Sequence, residues 1–127
     1  MVKLESIKTG VIGVGSMGQN HARVYNEISN LIGVADPNET QGRLVAERFG
    51  VKWYRDYSEL LTKVDAVTIA VPTFLHRKIA DVVSSQGVHL LVEKPLADNI
   101  KDAQAIVKNA EQAGVKLSTG HIERFNP

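Results

Sequence analysis

The stretch GVIGVGSMG, residues 10–18, decides the fold. Its first half, Gly10–Val14, is rich in β-branched residues and predicts a buried strand. Its second half, Gly13–Gly18, fits the pattern G-x-G-x-x-G. Glycine is common, so this pattern alone is weak. Its position between a predicted strand and a predicted helix is what favours a phosphate-binding turn.

We expect each glycine of this turn to have a different structural role. Gly13 permits the tight turn, Gly15 lets the backbone approach a pyrophosphate, and Gly18 lets helix and strand pack closely. We expect the amides at the helix start, around Ser16 and Met17, to point at the phosphates. The alternative is a glycine-rich turn that binds nothing.

Short apolar runs continue along the chain at regular intervals. They are apolar nearly throughout, as expected of parallel strands that are covered on both faces. The predicted strands are 10–14, 31–35, 51–54, 66–71, 88–92 and 115–119. The run 51–54 is short and less apolar, which indicates an outer strand.

Helical periodicity fills the gaps between the predicted strands. The apolar stripes are Met17, His21, Val24 and Ile28; Leu75, Ile79, Val82 and Val83; and Ile100, Ala103, Val107 and Ala110. We expect helices to end at Gly50, Gly87 and Gly114, where a left-handed turn is favoured. We expect helices to begin at Ser58, at Thr73 and at Asp98 or Asn99, whose side chains can cap them. The order βαβαβ, short helix, βαβαβ predicts an α/β doubly wound parallel sheet, the Rossmann fold, with three α/β/α layers.

Composition argues against several classes of protein, including nucleic-acid-binding, metal-binding and membrane-spanning ones. The 127 residues suit one domain, residues 1–127, and the net charge of +1 with no basic run argues against nucleic acid as a partner. Absence of cysteine excludes disulfides and thiolate metal sites, and the four histidines are scattered, so we expect no metal. The longest apolar run, 66–72, is too short to cross a bilayer, which favours a cytoplasmic protein with no membrane contact.

Asp36 ends the second predicted strand, 18 residues after Gly18. An acidic residue at this place accepts hydrogen bonds from the adenosine ribose and repels a 2′-phosphate. No arginine stands beside Asp36 in the sequence to receive such a phosphate, so NAD is favoured over NADP. The alternative is that Asp36 caps a helix before Pro37, and both roles can coexist.

Two more segments end strands at the same predicted edge. After the fourth strand, Val71 and Pro72 offer a flat face without an amide N–H for a nicotinamide ring, with Thr73 and His76 close behind. Thr73 as a helix cap and His76 as an ordinary polar helix residue are equally good explanations. After the fifth strand, Glu93 and Lys94 precede Pro95, which biases Lys94 to an extended conformation.

These segments together resemble the amino-terminal half of the Gfo/Idh/MocA oxidoreductases, the relatives of glucose–fructose oxidoreductase and inositol 2-dehydrogenase. The resemblance covers essentially the whole chain. It rests on the glycine turn, Asp36, Val71-Pro72-Thr73-x-x-His76, Glu93-Lys94-Pro95 and the closing Gly120–Pro127. It implies hydride transfer between NAD(P) and a sugar, an inositol or a related hydroxyl compound.

The resemblance also implies roles for single residues. Lys94 corresponds to an active-site lysine, either relaying the hydroxyl proton or polarising the substrate oxygen as a cation. A solvated surface lysine is the alternative. In the closing segment, Arg124 is a candidate cofactor contact, and Asn126 and His121 are weaker candidates.

Members of that family are more than twice this long, and a second α/β domain supplies most of their substrate pocket and their oligomer interface. We therefore expect either an excised cofactor domain or a naturally short protein, which binds NAD but turns over little substrate alone. A homo-oligomer and a small sugar or polyol substrate are expected. The alternatives are a stand-alone Rossmann module that senses nucleotide or redox state, and a methyltransferase; neither explains Lys94.

Overall fold

A computed structural model describes residues 6–119 of the chain. The strands are β1 Lys8–Ile12, β2 Asn30–Ala35, β3 Lys52–Tyr54, β4 Ala66–Ile69, β5 His89–Val92 and β6 Leu117–Thr119. The helices are α1 Ser16–Ile28, α2 Glu39–Phe49, α3 Tyr57–Leu61, α4 His76–Ser85 and α5 Ile100–Ala113. A 3₁₀ turn, Thr73–Leu75, precedes α4. The predicted contacts of His121, Arg124 and Asn126 lie outside the described residues.

The six strands form one parallel sheet in the order β3-β2-β1-β4-β5-β6. The chain first winds outward from β1 to β3 and then crosses to β4 on the other side of β1. This reversal confirms the doubly wound topology. It opens a crevice at the carboxyl ends of β1 and β4, where ligands of such sheets bind.

Helices cover both faces of the sheet, which confirms the three layers. Neighbouring residues of β1 alternate between the faces, so that Val11 enters one apolar core and Ile12 the other. The first core also contains Ala22 of α1, Val34 of β2 and Val45 of α2. The second contains Leu60 of α3, Ile69 of β4, Val83 of α4, Leu90 of β5 and Ile106 of α5.

Two of the three predicted helix stripes are only partly confirmed, since His21 of α1 and Ala110 of α5 are buried but most of their predicted partners are not. In α1, Met17, Val24 and Ile28 are exposed, whereas Gly18, His21 and Ala22 are buried. In α5, Ile106 and Ala110 are buried, while Ile100 is 76% exposed. For α1 the reason is steric: Gly18 lies against the carbonyl of Gly13, and this contact sets the rotation of the helix. The stripe of α4 is confirmed by buried Ile79 and Val83.

Several predicted boundaries also shift. β1 ends at Ile12 because Gly13 already has a positive φ of 92°. Thr73 does not cap α4, which continues from the 3₁₀ turn, and Asp56 rather than Ser58 caps α3 by accepting a hydrogen bond from the Ser58 amide. The Asn99 cap is confirmed. Positive φ angles also confirm left-handed turns at Gly50, Gly87 and Gly114.

Across residues 6–119, the helices are too short and too polar for any of them to span a membrane.

We predict that Gly18→Ala destabilises the fold. A Cβ there would lie 1.8 Å from the Gly13 carbonyl oxygen, so α1 has to move away from β1. Overpacking of this kind costs about 1–3 kcal/mol, which lowers Tm by about 5 °C or more in a domain of this size. Circular dichroism melting measures the change. Gly15→Ala is the control, since a Cβ there meets nothing within 4 Å; equal melting of the two variants would contradict the packing argument.

Candidate functional site

The three glycines of the turn have different surroundings. A Cβ on Gly13 would lie 2.3 Å from the Ala70 carbonyl oxygen, and one on Gly18 would lie 1.8 Å from that of Gly13. Both are therefore needed for packing. Gly15 instead faces open space, with nothing within 4 Å of a Cβ. This space lies directly over the start of α1.

The start of α1 differs from that of most other helices. Asn38, Asp56 and Asn99 cap α2, α3 and α5 with side-chain oxygens. α1 begins at Gly15 with no side-chain cap and no acidic residue in its first turn. Its first amides therefore face the open space above Gly15, and Ser16 and Met17 there are exposed. Unsatisfied amides and the helix dipole together favour an anion at this point.

A cavity of about 550 Å³ lies beside this helix start, at the carboxyl ends of β1 to β4. Its volume is within the usual range for small-molecule sites. Five predicted site residues line it: Gly13, Gly15, Asp36, Val71 and Pro72. Further lining residues are Ile12, Ala35, Pro37, Arg55, Asp56, Tyr57, Ala70, Leu75, Lys78 and Ile79. The open cradle, the bare amides and the acidic group suit a dinucleotide cofactor.

Asp36 joins the glycine turn to the end of β2. One carboxylate oxygen accepts the Val14 amide at 2.9 Å, and the other accepts the Asn38 amide at 2.8 Å. Asp36 therefore does not cap a helix, because Asn38 holds that position in α2. Each carboxylate oxygen keeps a second lone pair, which leaves acceptor capacity for hydroxyl groups.

Sequence reasoning missed the residues that follow β3. The Asp36 amide donates to the Tyr54 carbonyl at 3.0 Å, so pairing of β2 with β3 brings Arg55 beside Asp36. Arg55 is not a sequence neighbour of Asp36, so the pattern around Asp36 does not reveal it. The sequence does contain a signal for these residues. Arg55, Asp56 and Tyr57 come directly after β3, and residues that follow parallel strands lie at the ligand-binding edge of the sheet.

The charges at this rim are paired. Arg55 donates to Glu39 at 2.8 Å, and Arg43 donates to the other oxygen of the same carboxylate at 2.8 Å. The hydrogen bond from Arg43 is the main reason that the pKa of Glu39 lies below its ordinary value, and Arg55 adds to it. Within the cavity, burial and then the negative charge of Asp56 raise the pKa of Tyr57.

His76 lies inside the wall of the site. It is 1% exposed, and its ring nitrogens lie 2.9 Å from the Val71 carbonyl oxygen and 3.1 Å from that of Leu96. It thus connects the segment after β4 with the segment after β5. Its predicted contact with a cofactor stays a prediction, as does that of neighbouring Thr73.

Glu93 also faces inward. It is 8% exposed and pairs with Nε2 of buried His21 in α1. Thr68 continues the buried polar chain, lying 3.4 Å from Nδ1 of His21 and 2.6 Å from the Tyr25 hydroxyl. Burial is the main reason that the pKa of Tyr25 is raised, against the effect of its hydrogen bond with Thr68. These contacts tie α1 to β4 and to the end of β5.

Lys94 follows Glu93 and is exposed at the same edge of the sheet. Its peptide bond to Pro95 is cis. Lys94 is not among the residues that line the cavity, which ends at Val71, Pro72 and Leu75 on this side. Its predicted catalytic role stays a prediction.

Two curated relatives illustrate what the chain is similar to. The UDP-N-acetylglucosamine 3-dehydrogenase of Acidithiobacillus ferrooxidans is 40% identical over 121 residues, covering 95% of this chain and 39% of that protein. The myo-inositol 2-dehydrogenase of Thermotoga maritima is 33% identical over 125 residues, covering 94% of this chain and 37% of that protein. The chain therefore spans about two-fifths of the length of these relatives.

Solved structures show the same fold. A crystal form of the Acidithiobacillus enzyme superposes with a TM-score of 0.93 at 39% identity, covering 96% of this chain and 40% of that one. The WlbA dehydrogenase from Bordetella pertussis, in complex with NADH and UDP-GlcNAcA, superposes with a TM-score of 0.88 at 28% identity, covering 95% and 38%. The family described as "Oxidoreductase family, NAD-binding Rossmann fold" matches residues 7–121. The chain belongs to this Gfo/Idh/MocA family and is its NAD-binding Rossmann domain.

Proposed function

We propose that the chain is the cofactor-binding part of a dehydrogenase that acts on a hydroxyl group of a sugar, a polyol or a nucleotide-linked sugar. The observation that carries this proposal is the uncapped start of α1, which opens above Gly15 beside the cavity lined by Asp36. The similarity to UDP-N-acetylglucosamine 3-dehydrogenase makes nucleotide-linked amino sugars the first substrates to test.

NAD would lie across the carboxyl ends of the strands in this proposal. The amides of residues 15–18 hold the diphosphate, and Asp36 accepts hydrogen bonds from the adenosine ribose. Pro72, in the wall of the same cavity, faces the nicotinamide end. The preference is for NAD, because Asp36 repels the 2′-phosphate of NADP.

Bound NAD would supply the hydride acceptor or donor. In this proposal Lys94 interacts with the hydroxyl oxygen of the substrate carbon that is oxidised. Loss of hydride from an alcohol carbon requires loss of the hydroxyl proton, and a positioned amine can relay that proton or stabilise the oxygen. The pairing of Glu93 with His21 and the bonds of His76 hold the backbone on both sides of Lys94. The relatives are more than twice as long, so we propose that a second domain completes the substrate pocket.

Gly15→Ala is expected to weaken NAD binding without unfolding the protein. The new methyl group projects into the space where the diphosphate lies, yet it touches nothing in the fold. We expect the Kd for NAD to rise about tenfold, which is about 1.4 kcal/mol. Isothermal titration calorimetry on the purified chain measures this. Unchanged affinity would place the diphosphate elsewhere.

The 127-residue chain alone is expected to bind NAD but to show no measurable turnover. The described cavity provides groups for the cofactor, and the substrate pocket requires further chain. NADH formation with UDP-N-acetylglucosamine or myo-inositol, followed by absorbance, tests this. Sustained turnover of either compound would show that these residues are sufficient for catalysis.

Lys94→Ala separates catalysis from cofactor binding. In a full-length form that carries this chain, we expect kcat to fall about 100-fold or more, the range of a lost acid–base group, while the Kd for NAD changes less than about twofold. Lys108→Ala, on the exposed side of α5, is the matched control. An unchanged kcat in the Lys94 variant would show that Lys94 is not the acid–base group, and a full-length form without any turnover would favour a nucleotide-sensing module.

A further inference from the structure

Arg55 occupies the end of the cavity that Asp36 defines. Both residues line the cavity, and they follow the neighbouring strands β3 and β2. One Arg55 Nη donates to the Pro37 carbonyl at 3.2 Å, and the other donates to Glu39 at 2.8 Å. A guanidinium is therefore present where the phosphate of NADP would need a cationic partner, although a carboxylate already holds it.

Packing around Trp53 fixes the position of this guanidinium. Arg55 lies 5.1 Å from the centre of the Trp53 ring, and Arg43 lies 4.7 Å from it. The indole N–H donates to the Asp36 carbonyl at 3.0 Å. A Cβ on Gly42 would lie only 2.2 Å from the indole, so the ring rests directly on α2. Glu39 thus accepts hydrogen bonds from two arginines, and both arginines pack against the same indole ring.

We propose that Glu39 is a cofactor-selectivity residue, which holds Arg55 in an ion pair and so withholds its guanidinium from the 2′-phosphate of NADP. This inference rests on the proposed function, because it assumes that the adenosine ribose lies at Asp36. Asp36 repels the phosphate, and Glu39 competes with the phosphate for the Arg55 guanidinium that could compensate for that repulsion. Selectivity for NAD then depends on two carboxylates, of which Asp36 alone is adjacent to the ribose.

The pair is suited to such a role because it is accessible. The side chains of Arg55 and Glu39 are 61% and 47% exposed, and exposed ion pairs of this kind are weak. A guanidinium also has five N–H donors in a fork that matches a phosphate. Without Glu39, we expect the contact with Trp53 to keep Arg55 at the cavity, where its guanidinium no longer has this carboxylate as a partner. The competing explanation is that Glu39 only stabilises the start of α2 through the helix dipole.

Glu39→Gln tests the proposal by calorimetry on the purified chain, with NAD and NADP as ligands and with ADP and 2′,5′-ADP as probes of the adenosine end. We expect the ratio Kd(NADP)/Kd(NAD) to fall about fivefold, the upper range of an exposed charge pair. The increase in NADP affinity relative to NAD should be smaller at high salt, because ions screen exposed charges. Glu47→Gln removes the same charge from the exposed side of the same helix and should leave the ratio unchanged.

The double variant Glu39→Gln/Arg55→Gln decides whether Arg55 carries the effect. We expect it to lose the gain in NADP affinity. An unchanged ratio in Glu39→Gln overturns the proposal, and so does a gain that survives in the double variant. If the wild-type chain binds neither dinucleotide, the proposed function is wrong and this inference falls with it. If NAD binds with the expected Gly15 dependence and only the ratio stays constant, the inference alone is wrong.

Discussion

The contact of Gly18 with the carbonyl of Gly13 is the constraint on which the rest of the site depends. It brings the first turn of α1 so close to the end of β1 that no Cβ fits between them. The helix start consequently sits at the crevice beside β4, where Gly13 and Gly15 line the cavity. The same contact sets the rotation of α1, which leaves Met17 at the surface and turns His21 into the interior. One packing requirement therefore fixes both the position of the uncapped helix start and the burial of the polar residue His21.

Asp36, the proposed contact of the adenosine ribose, also has a role in the fold. Its carboxylate holds the Val14 amide within the turn and the Asn38 amide at the start of α2, so it orders the loops on both sides of the crevice. Glutamine side chains strengthen the same turn, since Gln19 and Gln41 both donate to the Val14 carbonyl. The proposed acceptor for ribose hydroxyls is thus held in place by the fold itself, so that binding would require little ordering of the protein.

The sequence allowed prediction of features that depend on local pattern. The alternation of strands and helices, the doubly wound parallel sheet, the left-handed turns and the position of the glycine turn follow from periodicity and glycine placement. Features that depend on contacts between distant segments were missed. Arg55 is 19 residues from Asp36 in the sequence, and only the pairing of β2 with β3 brings them together. The stripe of α1 failed for a related reason: a close backbone contact, rather than the number of apolar residues, determines which face is buried.

The two motifs that follow β4 and β5 each contain exposed and buried residues. Lys94 and Pro72 are exposed at the sheet edge, whereas Glu93 and His76, which belong to the same two motifs, are buried behind them. Burial of a carboxylate or an imidazole is costly unless it has partners, and both have them, in His21 and in two backbone carbonyls. These partners lie on α1 and on the segments after β4 and β5. Glu93 therefore connects the segment that carries Lys94 to α1, and His76 connects that segment to the one after β4, so that all three elements are held in fixed relative positions.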